Sequence, residues 1–244
     1  MTLSGPTDEN NFVYDFSDLK NLVKKTLKET LDHALIVPET FKPSIEGWWY
    51  FPNSWSYLAP KGSVFAIPTK ANDVVREDVQ KACEEILSNK LGENFQLEVN
   101  LSDETDSEGY SYYCYTHGIT GHAGACQRTF HGHRSKLIAK INGERKPQLE
   151  QRIVNEIFEK SIHIASKNQI LEETEDTYYL AYEGSYGTFK ATIPKNRSII
   201  IHQETSIEAI TYNIAKLTKK FIQSDDELEI SCFEGIDKGA TVKL

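Results

Sequence analysis

Apolar residues recur at helical spacing in four stretches of the chain. Behind Asp15-Phe16-Ser17 they fall at Leu19, Leu22, Val23, Leu27 and Leu31, which predicts an amphipathic helix with Ser17 as its N-cap. Val75, Val79, Ala82, Cys83, Ile86 and Leu87 form a second stripe; Thr69, just after Pro68, caps its start and Gly92 lies past its end. A third helix runs from about Pro147 through Leu149, Ile153, Val154, Ile157, Phe158 and Ile162. The fourth opens with Thr205-Ser206-Ile207-Glu208, a capping-box pattern, and carries Ile207, Ile210, Ile214, Leu217 and Phe221. Each helix has one apolar face to lay on another element, and the intervening patterns make that element a sheet.

Leu97, Val99 and Leu101 alternate with polar residues, as do Leu228, Ile230 and Cys232; residues 110–115 are rich in aromatics and residues 198–202 in β-branched side chains. The longest alternation starts at His131: His133, Ser135, Leu137, Ala139 and Ile141 share its parity and therefore its sheet face. The order helix, loop, helix, strand occurs from Ser17 to Glu104 and again from Pro147 to Glu234. Leu19 and Leu149, His33 and His163, and Glu104 and Glu234 are each 130 residues apart, which predicts a duplicated chain of two related α+β units rather than a short-period solenoid.

Composition narrows the functional classes. The 244 residues suit one large domain or two small ones, and 39% apolar residues are enough for a real core. A net charge of -9 disfavours nucleic acid, whose binding rests on Lys and Arg neutralising phosphates. No apolar run approaches the roughly 20 residues that span a bilayer, and the polar start, Met1 to Asn11, lacks the apolar stretch of a secretory signal. Cys83, Cys114, Cys126 and Cys232 are too irregularly spaced for a disulfide framework. The expectation is a soluble cytoplasmic protein with no membrane partner.

The densest chemistry lies between His117 and His133, which hold four of the seven histidines and Cys126. His131 and His133 are two apart, so on a strand both rings leave the same face. That face continues as Leu137, Ala139 and Ile141, and a neutral imidazole directed toward a dry interior needs a partner, which a metal supplies. His117 closes the preceding aromatic strand and can return across a hairpin as a third ligand. Three histidines with an open fourth position form the pattern of a catalytic zinc site. The competing reading is a polar loop with surface histidines, which is the one adopted for His122. Cys126 is either a thiol activated by a nearby cation or a small buried hydrophobe. Cys83, Cys114 and Cys232 fall in helix and strand patterns and read as structural. Asp32 beside His33 can orient an imidazole for proton transfer. Glu104 and Glu234, at strand ends, are either solvated or able to accept two N–H bonds from a heterocyclic amidine. Arg128 and Arg134 can meet phosphates or lie at the surface.

Tyr115-Thr116-His117, then Cys126 shortly before His131-Gly132-His133, resemble a segment of the 6-pyruvoyl-tetrahydropterin synthase and 6-carboxy-tetrahydropterin synthase family. Val13-Tyr14-Asp15-Phe16-Ser17-Asp18-Leu19-Lys20 followed by Leu31-Asp32-His33 is similar to another. The helix starts Pro68-Thr69 and Thr205-Ser206-Ile207-Glu208, and the strand ends Glu104-Thr105 and Glu234-Gly235, add weaker matches. The order is permuted: in the family the His and Cys segments precede Leu-Asp-His, whereas here Asp32-His33 comes first. The resemblance implies a tunnelling fold, with an antiparallel sheet and pairs of helices on one face. Its two units would span residues 12–110 and 111–244, the second carrying the His/Cys hairpin. It further implies a homo-oligomer with Zn2+ on His117, His131 and His133. Cys126 would be the catalytic thiol, Asp32 and His33 the proton-handling pair, and Glu104 or Glu234 the pterin anchor. The implied activity is a lyase acting on 7,8-dihydroneopterin triphosphate, on the route to queuosine. The alternative is a divergent or non-catalytic pterin- or purine-binding protein of the same fold.

Overall fold

The structure is a computed structural model, and it describes the chain except residues 53–54, 70, 103–108, 123, 160–161 and 236. Contacts divide the chain into two units, Met1–Ser44 with Lys61–Glu104, and Ile45–Pro60 with Thr105–Leu244. Among the described residues, no helix is long and apolar enough to cross a membrane.

The chain opens with β1 (Thr2–Ser4), α1 (Phe16–Thr30) and β2 (Leu35–Pro38). There follow β3 (Trp49–Phe51), β4 (Trp55–Leu58), β5 (Val64–Ile67), α2 (Arg76–Leu91) and β6 (Gln96–Glu98). Of these, β3 and β4 belong to the second unit. In the first unit β2 pairs with β5 in parallel and β1 with β6 in antiparallel. Leu31, Cys83, Leu87 and Val99 form its core, with Val23, Leu27, Ile36, Phe65, Val79 and Ile86 packed around them.

The helix boundaries move from their sequence positions for identifiable reasons. Asp15, not Ser17, caps α1: its carboxylate accepts from the N–H groups of Ser17 at 2.8 Å and Asp18 at 3.0 Å. Thr69 does not start α2; it sits in a loop with its hydroxyl accepting from Ala71 N–H, and the helix begins seven residues later at Arg76. There Asp78 accepts the Val75 N–H at 3.2 Å, and Gly92 ends the helix at φ 92° as its position predicts. The strand expected through Leu101 stops at Glu98. Beyond it, Val99 N–H and Leu101 N–H donate to Glu84 Oε1 and Gln80 Oε1 on α2, so the backbone docks on a helix rather than a neighbouring strand.

The second unit continues with β7 (Ser111–His117), β8 (His131–Ile141), β9 (Glu144–Arg145), α3 (Pro147–Ile157) and β10 (Ile162–Ser166). Next come β11 (Ile170–Glu173), β12 (Thr177–Gly184), β13 (Gly187–Pro194) and β14 (Ser198–Ile201). It closes with α4 (Ile207–Thr218), β15 (Leu228–Phe233) and β16 (Gly239–Lys243). The main sheet has the order β14-β10-β7-β8-β15-β16, with β9 on β8. It is antiparallel from β7 to β16 but parallel where β10 meets β7 and β14. Leu137, Ala139 and Ile230 of this sheet share one core with Leu149 and Ile153 of α3 and Ile207, Ile210 and Ile214 of α4, so both helices lie on one face. A second, antiparallel sheet runs β11-β12-β13-β4-β3.

Element order recurs along the chain. Helix, strand, excursion, parallel partner strand, helix and strand describe α1-β2 to β5-α2-β6 and equally α3-β10 to β14-α4-β15. The two histidines 130 residues apart nevertheless occupy different places. His33 lies in a turn after α1 at φ 59°, whereas His163 is a buried residue of β10.

Candidate metal centre

Strands β7 and β8 pair so that His117 faces His131 and Tyr115 faces His133. Alternation along each strand puts all four side chains on the helix-covered face. His117 and His131 are buried and His133 half-buried. Within this face the three rings do more than lie close. His117 Nδ1 is 2.8 Å from the Thr205 carbonyl, His131 Nδ1 2.7 Å from the Arg128 carbonyl, and His133 Nδ1 3.1 Å from the Glu234 carbonyl. A carbonyl oxygen only accepts, so each Nδ1 donates its proton and each Nε2 keeps its lone pair.

Those lone pairs converge. The ligand atoms of His117, His131 and His133 all lie within 4.8 Å of one another, and the Nε2 atoms of His117 and His133 are 3.1 Å apart. Burial first, and then the neighbouring His131 and His133 rings, hold the His117 imidazole well below its usual range, so a proton is disfavoured as the bridge. Three neutral imidazoles fixed through Nδ1 to backbone oxygen suit a borderline cation with an open fourth position, and zinc fits that donor set.

The loop between the strands is pinned from several sides. The Gly118 carbonyl accepts from Gln169 Nε2 at 2.7 Å and from the Thr205 hydroxyl at 3.1 Å. Thr205 therefore does not cap α4. Ser206 does, with its hydroxyl accepting from Ala209 N–H, while Thr205 ties the helix start to both His117 and Gly118. Tyr182 donates to the Gln127 carbonyl at 2.5 Å and bonds the Thr129 hydroxyl; Glu204 accepts from Thr120 N–H and its hydroxyl. Gly118 leaves no room for a side chain, since a Cβ there would lie 2.4 Å from Tyr182 Oη and 3.1 Å from Thr129 Cα.

Cys126 sits in a single 3-10 turn, Ala125–Gln127, of this loop as a half-buried thiol outside any disulfide. Asp32 and His33 do form a pair, Oδ1 to Nδ1 at 2.8 Å, within the first unit. Glu234 supplies the carbonyl that orients His133 and a carboxylate charge felt by the Tyr115 phenol. Glu104 lies outside the described residues. Arg128 is buried with its guanidinium 5.2 Å from the Tyr186 ring centroid, and exposed Arg134 covers the Tyr112 ring. His122 is exposed, as expected, and Cys83 and Cys232 are buried; Cys114 is exposed on β7.

In the sequence His163 stands out only as a counterpart of His33. It is fully enclosed against Phe130, with Nδ1 2.9 Å from the Thr116 hydroxyl, and burial, with His131 adding, pushes it down to about 3. Thr205 and Gln169 carried no recognisable sequence signal for their roles around the triad, because they act through contacts 51 to 88 residues away.

No family model matches the chain, and no curated protein matches it in sequence. A solved structure is similar in part. It is the crystal structure of a 6-pyruvoyl tetrahydropterin synthase from Plasmodium vivax, matched at 16% identity over 55% of this chain and 91% of that one, with a TM-score of 0.42.

Proposed function

We propose that this chain is a zinc-dependent pterin synthase or lyase that acts on 7,8-dihydroneopterin triphosphate. The products would be triphosphate and 6-pyruvoyl-tetrahydropterin or, where a side-chain carbon–carbon bond is also cleaved with uptake of water, triphosphate, 6-carboxy-tetrahydropterin and a two-carbon aldehyde. The observation that carries the proposal is the convergence of three Nε2 lone pairs, each set by a backbone carbonyl on the opposite ring nitrogen. Such a constellation stores no obvious benefit without a cation, since it buries polar nitrogen against polar nitrogen. The substrate class rests on the sequence motifs around Asp15, Asp32-His33 and His131-Gly132-His133.

In this reading His117, His131 and His133 hold zinc, which when bound supplies a Lewis acid to the side-chain oxygens of the substrate. The remaining work belongs to the chain. The Cys126 thiol would exchange a proton with the substrate side chain; in the first unit Asp32 fixes the His33 tautomer, which suits that imidazole to proton transfer. The carboxylate of Glu234 or of Glu104 accepts the N–H pair of the pterin amidine edge. Loss of triphosphate follows proton removal from the adjacent carbon. The protein would work as a cytoplasmic homo-oligomer on the queuosine route.

The test is metal analysis joined to product identification. The purified full chain is expected to hold about one zinc, lost in the His131→Ala/His133→Ala variant, and to convert dihydroneopterin triphosphate to a tetrahydropterin identified by mass spectrometry. A zinc-loaded chain that leaves this substrate unchanged overturns the assignment.

A further inference from the structure

Two buried hydroxyls beside the triad have no partner among the described residues. Tyr115 Oη and Ser135 Oγ make no hydrogen bond to any of these, although each residue is only 2% exposed. An unsatisfied buried hydroxyl is costly, and a small ligand or water that enters the site is the usual reason such a group persists. Both flank the same metal-ligand candidate: Tyr115 lies directly across from His133, and Ser135 follows His133 by two on the same face of β8.

The direction of the Tyr115 phenol is fixed by its neighbour. The Tyr113 and Tyr115 rings stack within 9° of parallel, 5.6 Å apart, and Tyr113 reaches across β8 to donate to the Phe233 carbonyl. The same direction one row along carries Tyr115 Oη toward Glu234. The Tyr115 phenol, like that of Tyr113, carries a hydroxyl proton it can donate. Extending the β8–β15 register, in which Cys232 faces Leu137, places Glu234 opposite Ser135.

From this geometry we infer that Tyr115 and Ser135 are binding residues which donate hydrogen bonds to the acceptor atoms of a planar heterocycle whose N–H edge is held by Glu234. This inference rests on the pterin reading above and deepens it. It assigns the site a second, hydroxyl-lined edge, so the preferred ligand carries both donors and acceptors on one ring system. A heterocycle with donors alone would leave both hydroxyls unsatisfied and bind poorly.

The experiment uses the zinc-loaded full chain, neopterin as a fluorescent probe, and the variants Tyr115→Phe, Ser135→Ala and Glu234→Gln. Wild type is expected to bind neopterin, and Tyr115→Phe to weaken it about 10–100-fold, the range for losing one or two hydrogen bonds made only with ligand. Because the lost hydroxyl is unpaired, ligand-free Tyr115→Phe should unfold at the same temperature as wild type or higher, and zinc content should not change. If ligand-free Tyr115→Phe or Ser135→Ala unfolds several degrees lower, the hydroxyls are already satisfied within the protein and the inference is overturned. If neopterin binding needs Glu234 yet survives both hydroxyl deletions, the inference fails while the pterin reading stands. If wild type holds zinc but binds no neopterin, the pterin reading fails and takes the inference with it.

Discussion

Removing zinc from the wild-type chain is expected to lower its unfolding temperature measurably, because the three histidines converge where a cation could bind. His117 is fully buried, and its Nε2 faces that of His133 at 3.1 Å with both Nδ1 protons committed to carbonyls. A ligand that binds the folded chain alone, at a free concentration about 100 times its Kd, stabilises by about 2.7 kcal/mol. For a chain of this size each kcal/mol is worth roughly 2–4 °C, so saturation should raise the transition by about 5–11 °C. Differential scanning fluorimetry of chelator-treated protein, titrated with zinc, measures this directly. His131→Ala should abolish the zinc-dependent shift, since the buried ring is held at 2.7 Å to the Arg128 carbonyl and its removal leaves two ligands. His122→Ala should keep the whole shift, because that ring is exposed and outside the cluster. Equal shifts in His131→Ala and His122→Ala, or none in wild type at saturating zinc, would refute the metal centre.

Three further outcomes are expected. Cys126→Ala should retain zinc but lose turnover by about 100-fold or more, the usual scale for a positioned proton-transfer group; full turnover in a steady-state assay rules out the thiol role. Gly118→Ala should weaken zinc binding and destabilise by about 1–3 kcal/mol, because its Cβ meets Tyr182 Oη at 2.4 Å. The double variant with Tyr182→Phe should recover part of that loss in a zinc titration. Glu150→Ala should destabilise by about 2–3 kcal/mol in denaturant unfolding, with zinc affinity unchanged. It strips two Arg145 bonds, at 2.8 and 2.7 Å, and one from Ala139 N–H at 3.1 Å, from a carboxylate that is fully buried. Arg145 stays partly solvated, which keeps the cost below that of a wholly buried pair.

Much of the second unit's main sheet was legible because burial there is one-sided. From His131 to Ile141 every second residue faces the helices, so alternation marked the strand from end to end, and α3 and α4 showed the stripes that cover it. The second sheet left a weaker imprint. In β13, Phe189, Ala191 and Ile193 are buried and do alternate, but in its partner β12 Leu180 alone is buried, so pairing rather than patterning makes β12 a strand. Caps were the other blind spot. Asp15 outranks Ser17, and Ser206 outranks Thr205, because the choice turns on where the chain enters the helix and on what else competes for the hydroxyl.

The site divides along the same physical line. Its candidate ligands are side chains, and the His-x-His spacing of β8 plus the hairpin partner His117 made their meeting on one sheet face readable from composition and parity. The atoms that give those ligands one tautomer are backbone carbonyls of Thr205, Arg128 and Glu234, and every residue type offers the same carbonyl oxygen. Arg128 lies only three residues before His131, but the placement of Thr205 and Glu234 depends on α4 beginning beside β7 and on β15 ending beside β8, which are properties of the folded second unit and not of any local string. The orphaned hydroxyls of Tyr115 and Ser135 were hidden for the complementary reason, since sequence shows that a donor exists but not that folding leaves it unpaired. A site built this way ties function to fold integrity. A substitution that shifts the start of α4 by even one residue moves the carbonyl on His117, and should cost metal affinity without touching any ligand.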